Sequence, residues 1–220
     1  MKKVLFALIF ISSLGLYGQD LEENQGLASI DTLVPNVKHF SGGLKIGFPN
    51  IIGFSLEAVS PLLNNRIAIF GDFSKFSLKI QDYEMDLSYN EFGMNIYAGN
   101  KGHGLYAGIG MGNFSADFTF NEQIAGGSNG KGASNINLNP TSIKLGVKTG
   151  SKIYFRFEVG YGAANVPETI VVDLVDNAGN SEIQTYRIHG NMEPGDEMLN
   201  ILGLSKNGIL IGNFGFGISF

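Results

Sequence analysis

The chain of 220 residues has no cysteine and no tryptophan, and only three histidines and six prolines. Without cysteine there is no disulfide framework, no thiolate zinc site and no lipid anchor on an N-terminal cysteine. After the first twenty residues no stretch reaches 18 consecutive apolar residues, so no helical membrane span is encoded there. Basic residues are few, 15 against 20 acidic ones, for a formal net charge of −5. That balance disfavours a nucleic-acid partner, whose phosphates demand an excess of Lys and Arg. The Gly126–Gly130 stretch is glycine-rich but is not followed by Gly-Lys-Ser/Thr, so it reads as a loop tip and not a phosphate cradle. The acidic groups, Asp82, Glu84 and Asp86 and a second set from Glu168 to Glu197, show neither EF-hand nor nonapeptide spacing. They read as solvated loops. No cofactor or metal is expected.

Glycine, by contrast, is abundant at 31 residues, with 17 Phe and 8 Tyr. Glycine costs a helix about 1 kcal/mol relative to Ala, whereas aromatic and β-branched residues suit pleated surfaces. Mean hydropathy is +0.09, too low for a bundle of membrane helices and near the average for an apolar outside wrapped around a polar inside.

The amino-terminal segment has the form of an export signal. Lys2 and Lys3 precede an apolar run from Val4 to Leu16, and Gly18 supplies a small residue before Gln19. The run is shorter than the roughly 20 residues a spanning helix needs. Residues 1–18 are therefore expected to be a cleaved signal peptide. Its loss takes two lysines and no acid, moving the net charge from −5 to −7. Residues 19–38 are acidic and aperiodic, and are expected to form a loose segment.

From Phe40 onward, apolar and small or polar residues alternate with period 2 in eight stretches, near 39–48, 52–60, 66–77, 87–98, from 104, 141–149, 152–164 and 208–220. One face is bulky throughout, as in Ile153, Phe155, Phe157, Val159 and Tyr161. The other is glycine with isolated charges. A soluble sandwich would put its bulky face inward and cover the outside with Lys, Glu and Thr. Here the second face is too small for a solvated exterior but fits the narrow inside of a small barrel. The bulky face then meets lipid. Connection lengths alternate as well. Turns 61–65, 99–103 and 149–152 are short and expected on the periplasmic side with both termini; the connections near 78–86, 121–138 and 165–207 are longer and expected outside.

The expected fold is all-β: an eight-stranded antiparallel up-and-down transmembrane β-barrel over residues 39–220, displaying external loops 121–138 and 165–207. Within the second loop, residues 169–188 read as a hairpin, expected outside the barrel, with two further spanning strands as the alternative. The lumen-facing charges are expected to be Lys45, Glu57, Arg66, Asp72, Glu91, Lys144, Lys148, Arg156 and Glu158. Unpaired buried charge is costly, so these groups are expected to pair and plug the lumen; the alternative is a narrow channel for small or apolar solutes that they line. His39, His103 and His189 fall outside the strands, which argues against a hydrolase and leaves a membrane-embedded lipid-modifying enzyme a remote reading.

With its alternating strands and its final Phe214-Gly-Phe216-Gly-Ile218-Ser-Phe220, the chain from 39 to 220 resembles the porin-family outer-membrane β-barrel proteins, in particular the small eight-stranded OmpA-, OmpX- and OmpW-like group. The resemblance implies that Phe214, Phe216, Ile218 and Phe220 form the C-terminal signal read by the barrel-assembly machinery. It also implies delivery by periplasmic chaperones and a final home in outer-membrane lipid of a Gram-negative cell. It implies no catalytic residue, and it leaves any extracellular ligand unnamed.

Overall fold

A computed structural model describes residues 37–80, 83–124, 128–176, 179–187 and 204–220. The expected signal peptide, nearly all of the 19–38 segment, Asp82, His189 and the acidic residues from 193 to 197 lie outside the described residues. Twelve strands follow in order: β1 (Phe40–Phe48), β2 (Ile51–Ser60), β3 (Ile67–Ile80), β4 (Tyr83–Tyr97), β5 (Gly104–Ile124) and β6 (Ser128–Leu138). They continue as β7 (Thr141–Thr149), β8 (Ile153–Ala163), β9 (Thr169–Asp176), β10 (Ser181–Arg187), β11 (Leu204–Ser205) and β12 (Gly208–Ser219).

Eight of these close into a ring, β1-β2-β3-β4-β5-β7-β8-β12 and back to β1, every neighbour antiparallel. The seam joins the first and last strands, with Leu44 opposite Phe216 and Ile46 opposite Phe214. Below it, Phe40 and Phe220 exchange backbone hydrogen bonds of 3.0 and 2.8 Å and stack their rings at 6.2 Å. A closed ring leaves no strand edge unpaired, the condition for backbone to sit in hydrocarbon. Chain reversals at the terminal end are tight and use residues suited to them. Leu63, Asn64 and Asn65 take left-handed φ values of 50, 59 and 60° between β2 and β3, and Asn tolerates that region better than most residues. Gly150, at φ 90°, turns β7 into β8.

Three strands overshoot the ring. A membrane crossing takes about 9–11 residues, which β1, β2, β7 and β8 match at 9, 10, 9 and 11, whereas β3, β4 and β5 have 14, 15 and 21. The upper half of β5 pairs with β6, Phe114 opposite Leu138, in the register that continues into β7, where Met111 faces Thr141. β6 and β7 are thus one strand interrupted at Asn139-Pro140. Proline has no N–H to give the ladder, yet the Pro140 carbonyl still accepts from Gly112 N at 2.8 Å. β9 adds to β6 beyond β8, and β10 folds back on β9.

Two expectations are corrected here. Residues 121–138 are not a loop but the end of β5 and the whole of β6, apart from 125–127, which are outside the described residues. Most of 78–86 is likewise strand. Glycine and asparagine lower strand propensity, but pairing with the long β5 overrides it. Among the described residues, the hairpin expected at 169–188 pairs with β6 and stays out of the closed ring.

Candidate functional site

Because side chains alternate along each strand, the ring sorts residues by parity. Outward positions are large and apolar: Leu44 and Ile46 on β1, Phe54 and Leu56 on β2, Phe92, Met94 and Ile96 on β4, and Phe155, Phe157 and Val159 on β8 are all exposed. Inward positions carry charge. Lys45, Glu57, Asp72, Glu91, Lys144, Lys148, Arg156 and Glu158 are each 4 % exposed or less. In a soluble protein Lys, Glu and Arg are almost never fully buried while large apolar side chains fill the core. Here the two are exchanged around a closed ring, an arrangement that suits lipid outside and a polar interior. The chain is a transmembrane β-barrel of the outer-membrane type.

The barrel interior is layered. Nearest the start of β1 and the end of β12 lie Val59, Ala68, Tyr97 and Tyr106, with the two tyrosine rings 5.1 Å apart. Above them comes the charged layer, in two linked groups. Glu57 on β2 receives Arg156 and Lys148, each at 2.7 Å, and accepts hydrogen bonds from Asn95 and Tyr97 at 2.9 Å. Lys45 on β1 bridges Asp72 and Glu158, the latter at 2.6 Å, and Lys144 on β7 reaches Glu91 at 2.9 Å and Asp72 at 3.6 Å. Tyr106 donates to Glu158 at 2.5 Å, and Ser142 donates to Glu91. Aromatic faces supply further partners for the cations, with Lys144 3.9 Å from the Phe70 ring centre and Arg156 5.5 Å from that of Tyr154. Small residues make the room: a Cβ built on Gly110 would collide with the Glu91 carboxylate.

Arg66 is corrected. Strand parity extended into the turn puts it in the lumen, but it is exposed just before β3. Its carbonyl still accepts from Tyr97 N at 2.8 Å, but Arg66 sits one residue before β3 at the mouth, where its side chain is left exposed. Without it the interior holds, among the described residues, four cations (Lys45, Lys144, Lys148, Arg156) and four carboxylates (Glu57, Asp72, Glu91, Glu158).

A third layer lies beyond what the alternation alone predicts. Toward the far end Leu87, Tyr89, Phe114, Ala116, Ile136, Leu138, Val166, Leu204 and Ile209 form one buried apolar cluster. Phe48, which has the parity of the outward Leu44 and Ile46, instead packs here with its ring 6.4 Å from that of Phe114. A signal did exist. Tyr89 and Leu87 have the parity of Glu91, and Phe114 and Ala116 that of Gly110, so the inward face could be followed past the charged zone as it turned apolar.

Phe214, Phe216, Ile218 and Phe220 are all exposed on the outside of β12 and just past its end. His39 is exposed, its Nδ1 3.0 Å from the Val59 carbonyl oxygen. His103 is half-buried in the turn between β4 and β5, where burial first, and then Lys101 and Lys148, holds its pKa below the ordinary 6.5. Gly126-Gly127-Ser128-Asn129-Gly130 has the letters of a nucleophile elbow, but Ser128 opens β6 where an elbow needs a following helix. Among the described residues no group of three or more His, Asp and Glu is placed to hold a metal.

No family model matches the chain, and no curated protein sequence matches it. Among solved structures it is similar to CarO2 of Acinetobacter baumannii, at 13 % identity and TM-score 0.43, covering 82 % of this chain and 98 % of that one. It is similar to a major outer membrane protein of Thermus thermophilus, at 13 % identity and TM-score 0.49 with the same coverages. Acinetobacter baumannii CarO gives 14 % identity and TM-score 0.44, over 82 % of this chain and 97 % of that one.

Proposed function

We propose that this barrel is a sealed structural element of the outer membrane whose overshooting strands form a wall displayed at the cell surface. The observation that carries this is the interior stacking of a charge-balanced layer beneath an apolar one. Eight strands enclose little more than their own side chains. An ion crossing the interior would have to break several buried pairs and then enter the Leu87–Phe114–Ile136 cluster, where nothing replaces its hydration. The β3–β6 overshoot and the β9–β10 hairpin add surface well beyond what a crossing needs. β5 alone, at 21 residues, spans about 70 Å.

Single-channel recording of the purified protein in planar bilayers tests this. The expected record shows no steady openings. Steady, voltage-stable openings would overturn the sealed barrel in favour of a narrow channel. The proposal extends to biogenesis: the outward row of Phe214, Phe216, Ile218 and Phe220 is the segment the barrel-assembly machinery would read after periplasmic chaperones deliver the chain.

A further inference from the structure

The mouth of the barrel at the end where β1 begins and β12 finishes is not charge-balanced. A cavity of about 230 Å³ opens there, lined by Lys38, Lys101, Gly102, His103, Lys148, Gly150, Ser151 and Ser219. Three lysines and a histidine converge from three parts of the chain, and no acidic residue is among the lining residues described. Lys148 reaches inward to Glu57 at 2.7 Å and to Ser41 at 2.8 Å, so its charge is matched. Lys38 and Lys101 form none of the salt bridges found among the described residues. The interior pairs every cation it holds, and this excess sits at one mouth. A folded chain has little reason to gather like charges around a cavity, since their repulsion costs stability.

We propose that this cavity binds a phosphate group, held by Lys38, Lys101, Lys148 and His103 with the hydroxyls of Ser151 and Ser219. A phosphate group carries about −1 as a phosphodiester headgroup and more as free phosphate at pH 7, and its non-bridging oxygens accept from several converging donors at once. Lys148 is 2 % exposed and anchored by Glu57, so part of the site is preorganised by the lumen network. Lys101 is exposed on its turn and free to adjust. The mouth lies at the membrane boundary, where the same chemistry is offered by free phosphate in solution and by phospholipid headgroups of the adjoining leaflet.

His103 reports occupancy. Its pKa is held down by burial and by Lys101 and Lys148, with Lys38 on the same cavity, and a bound anion reverses the sign of its surroundings. The experiment follows the His103 ring signals by NMR across pH, with the full barrel refolded in a phosphate-free maltoside detergent. One arm adds inorganic phosphate, a second adds phosphatidylglycerol without free phosphate, and a third adds chloride at matched ionic strength. Phosphate or phosphatidylglycerol is expected to raise the His103 pKa saturably by about one unit. Whichever does so at the lower concentration identifies the source. Lys38→Gln with Lys101→Gln is expected to weaken the response about tenfold or more, while Lys206→Gln, remote in sequence and outside the cavity lining, leaves it intact. The proposal fails if neither additive moves the pKa. It also fails if chloride moves it equally, or if the double lysine variant responds like the wild type.

Discussion

The ammonium of Lys144 on β7 lies 2.9 Å from a carboxylate oxygen of Glu91 on β4, across the intervening β5 and with both side chains at most 1 % exposed. Such a pair ties together strands that are not neighbours in the ladder. Its burial makes each partner dependent on the other, because an uncompensated charge in that position costs far more than the pair contributes.

Lys144→Met alone is therefore expected to destabilise the barrel by about 3 kcal/mol, since it strands Glu91 and removes a neighbour 3.6 Å from Asp72. Lys144→Met combined with Glu91→Gln should recover much of that loss. Urea unfolding in lipid vesicles, followed through tyrosine fluorescence and heat-modifiable gel migration, measures both. Simple additivity of the two substitutions would mean that the pair is not coupled.

Phe114→Ala is expected to cost about 3–5 kcal/mol, as for other fully buried aromatics, because Phe114 is 0 % exposed at the centre of the far apolar cluster. Met111→Ala, on the same strand but 73 % exposed on the lipid face, should cost far less. Equal effects in the same unfolding assay would place Phe114 outside a packed core.

Replacing residues 169–187 by a short Gly-Ser linker is expected to leave the ring folded. Among the described residues, the β9–β10 hairpin pairs with the rest of the sheet through β6, with Ala133 opposite Asp173. Retained heat-modifiable migration checks this, and loss of the compact band would show that the hairpin is required for closure.

Phe220→Ala removes a ring stacked 6.2 Å from Phe40 at the seam and the last of the outward aromatic row. Slower insertion by purified assembly machinery is expected, with a smaller effect on spontaneous folding into detergent. If both rates fall equally, the residue acts through the seam and not through recognition.

For His103 the folded pKa lies below 6.5, so in the absence of bound anion the unfolded chain takes up the proton first. Stability from this group is full above that value and falls as pH drops through it, until the folded form titrates too. His103→Gln is expected to flatten that part of the stability profile, with unfolding midpoints between about pH 7 and pH 5 as the measure.

Much of the barrel is legible in the sequence, because strand parity is a local property. Leu44, Ile46, Phe155 and Phe157 declare their face simply by position, and a bulky face opposite glycine leaves lipid as its partner. The parity of Lys45, Glu57 and Glu158 likewise puts them inward. Arg66 shares that parity, its carbonyl pairing with Tyr97 N, but it lies at the mouth before β3 begins, so parity alone does not bury it.

What the sequence alone determined is the alternation, the direction each strand residue faces, and the concentration of opposite charges on one side of the wall. Tertiary structure decided the rest. Whether residues 128–138 are loop or strand depends on the long β5 being present to pair with them. Which carboxylate meets which cation depends on ring closure, which brings Lys45 on β1 to Glu158 on β8. The apolar roof exists only because Phe48, Tyr89, Phe114, Ile136 and Ile209 arrive at one height from separate strands. Local alternation sets a direction, but height and partner follow from register and closure.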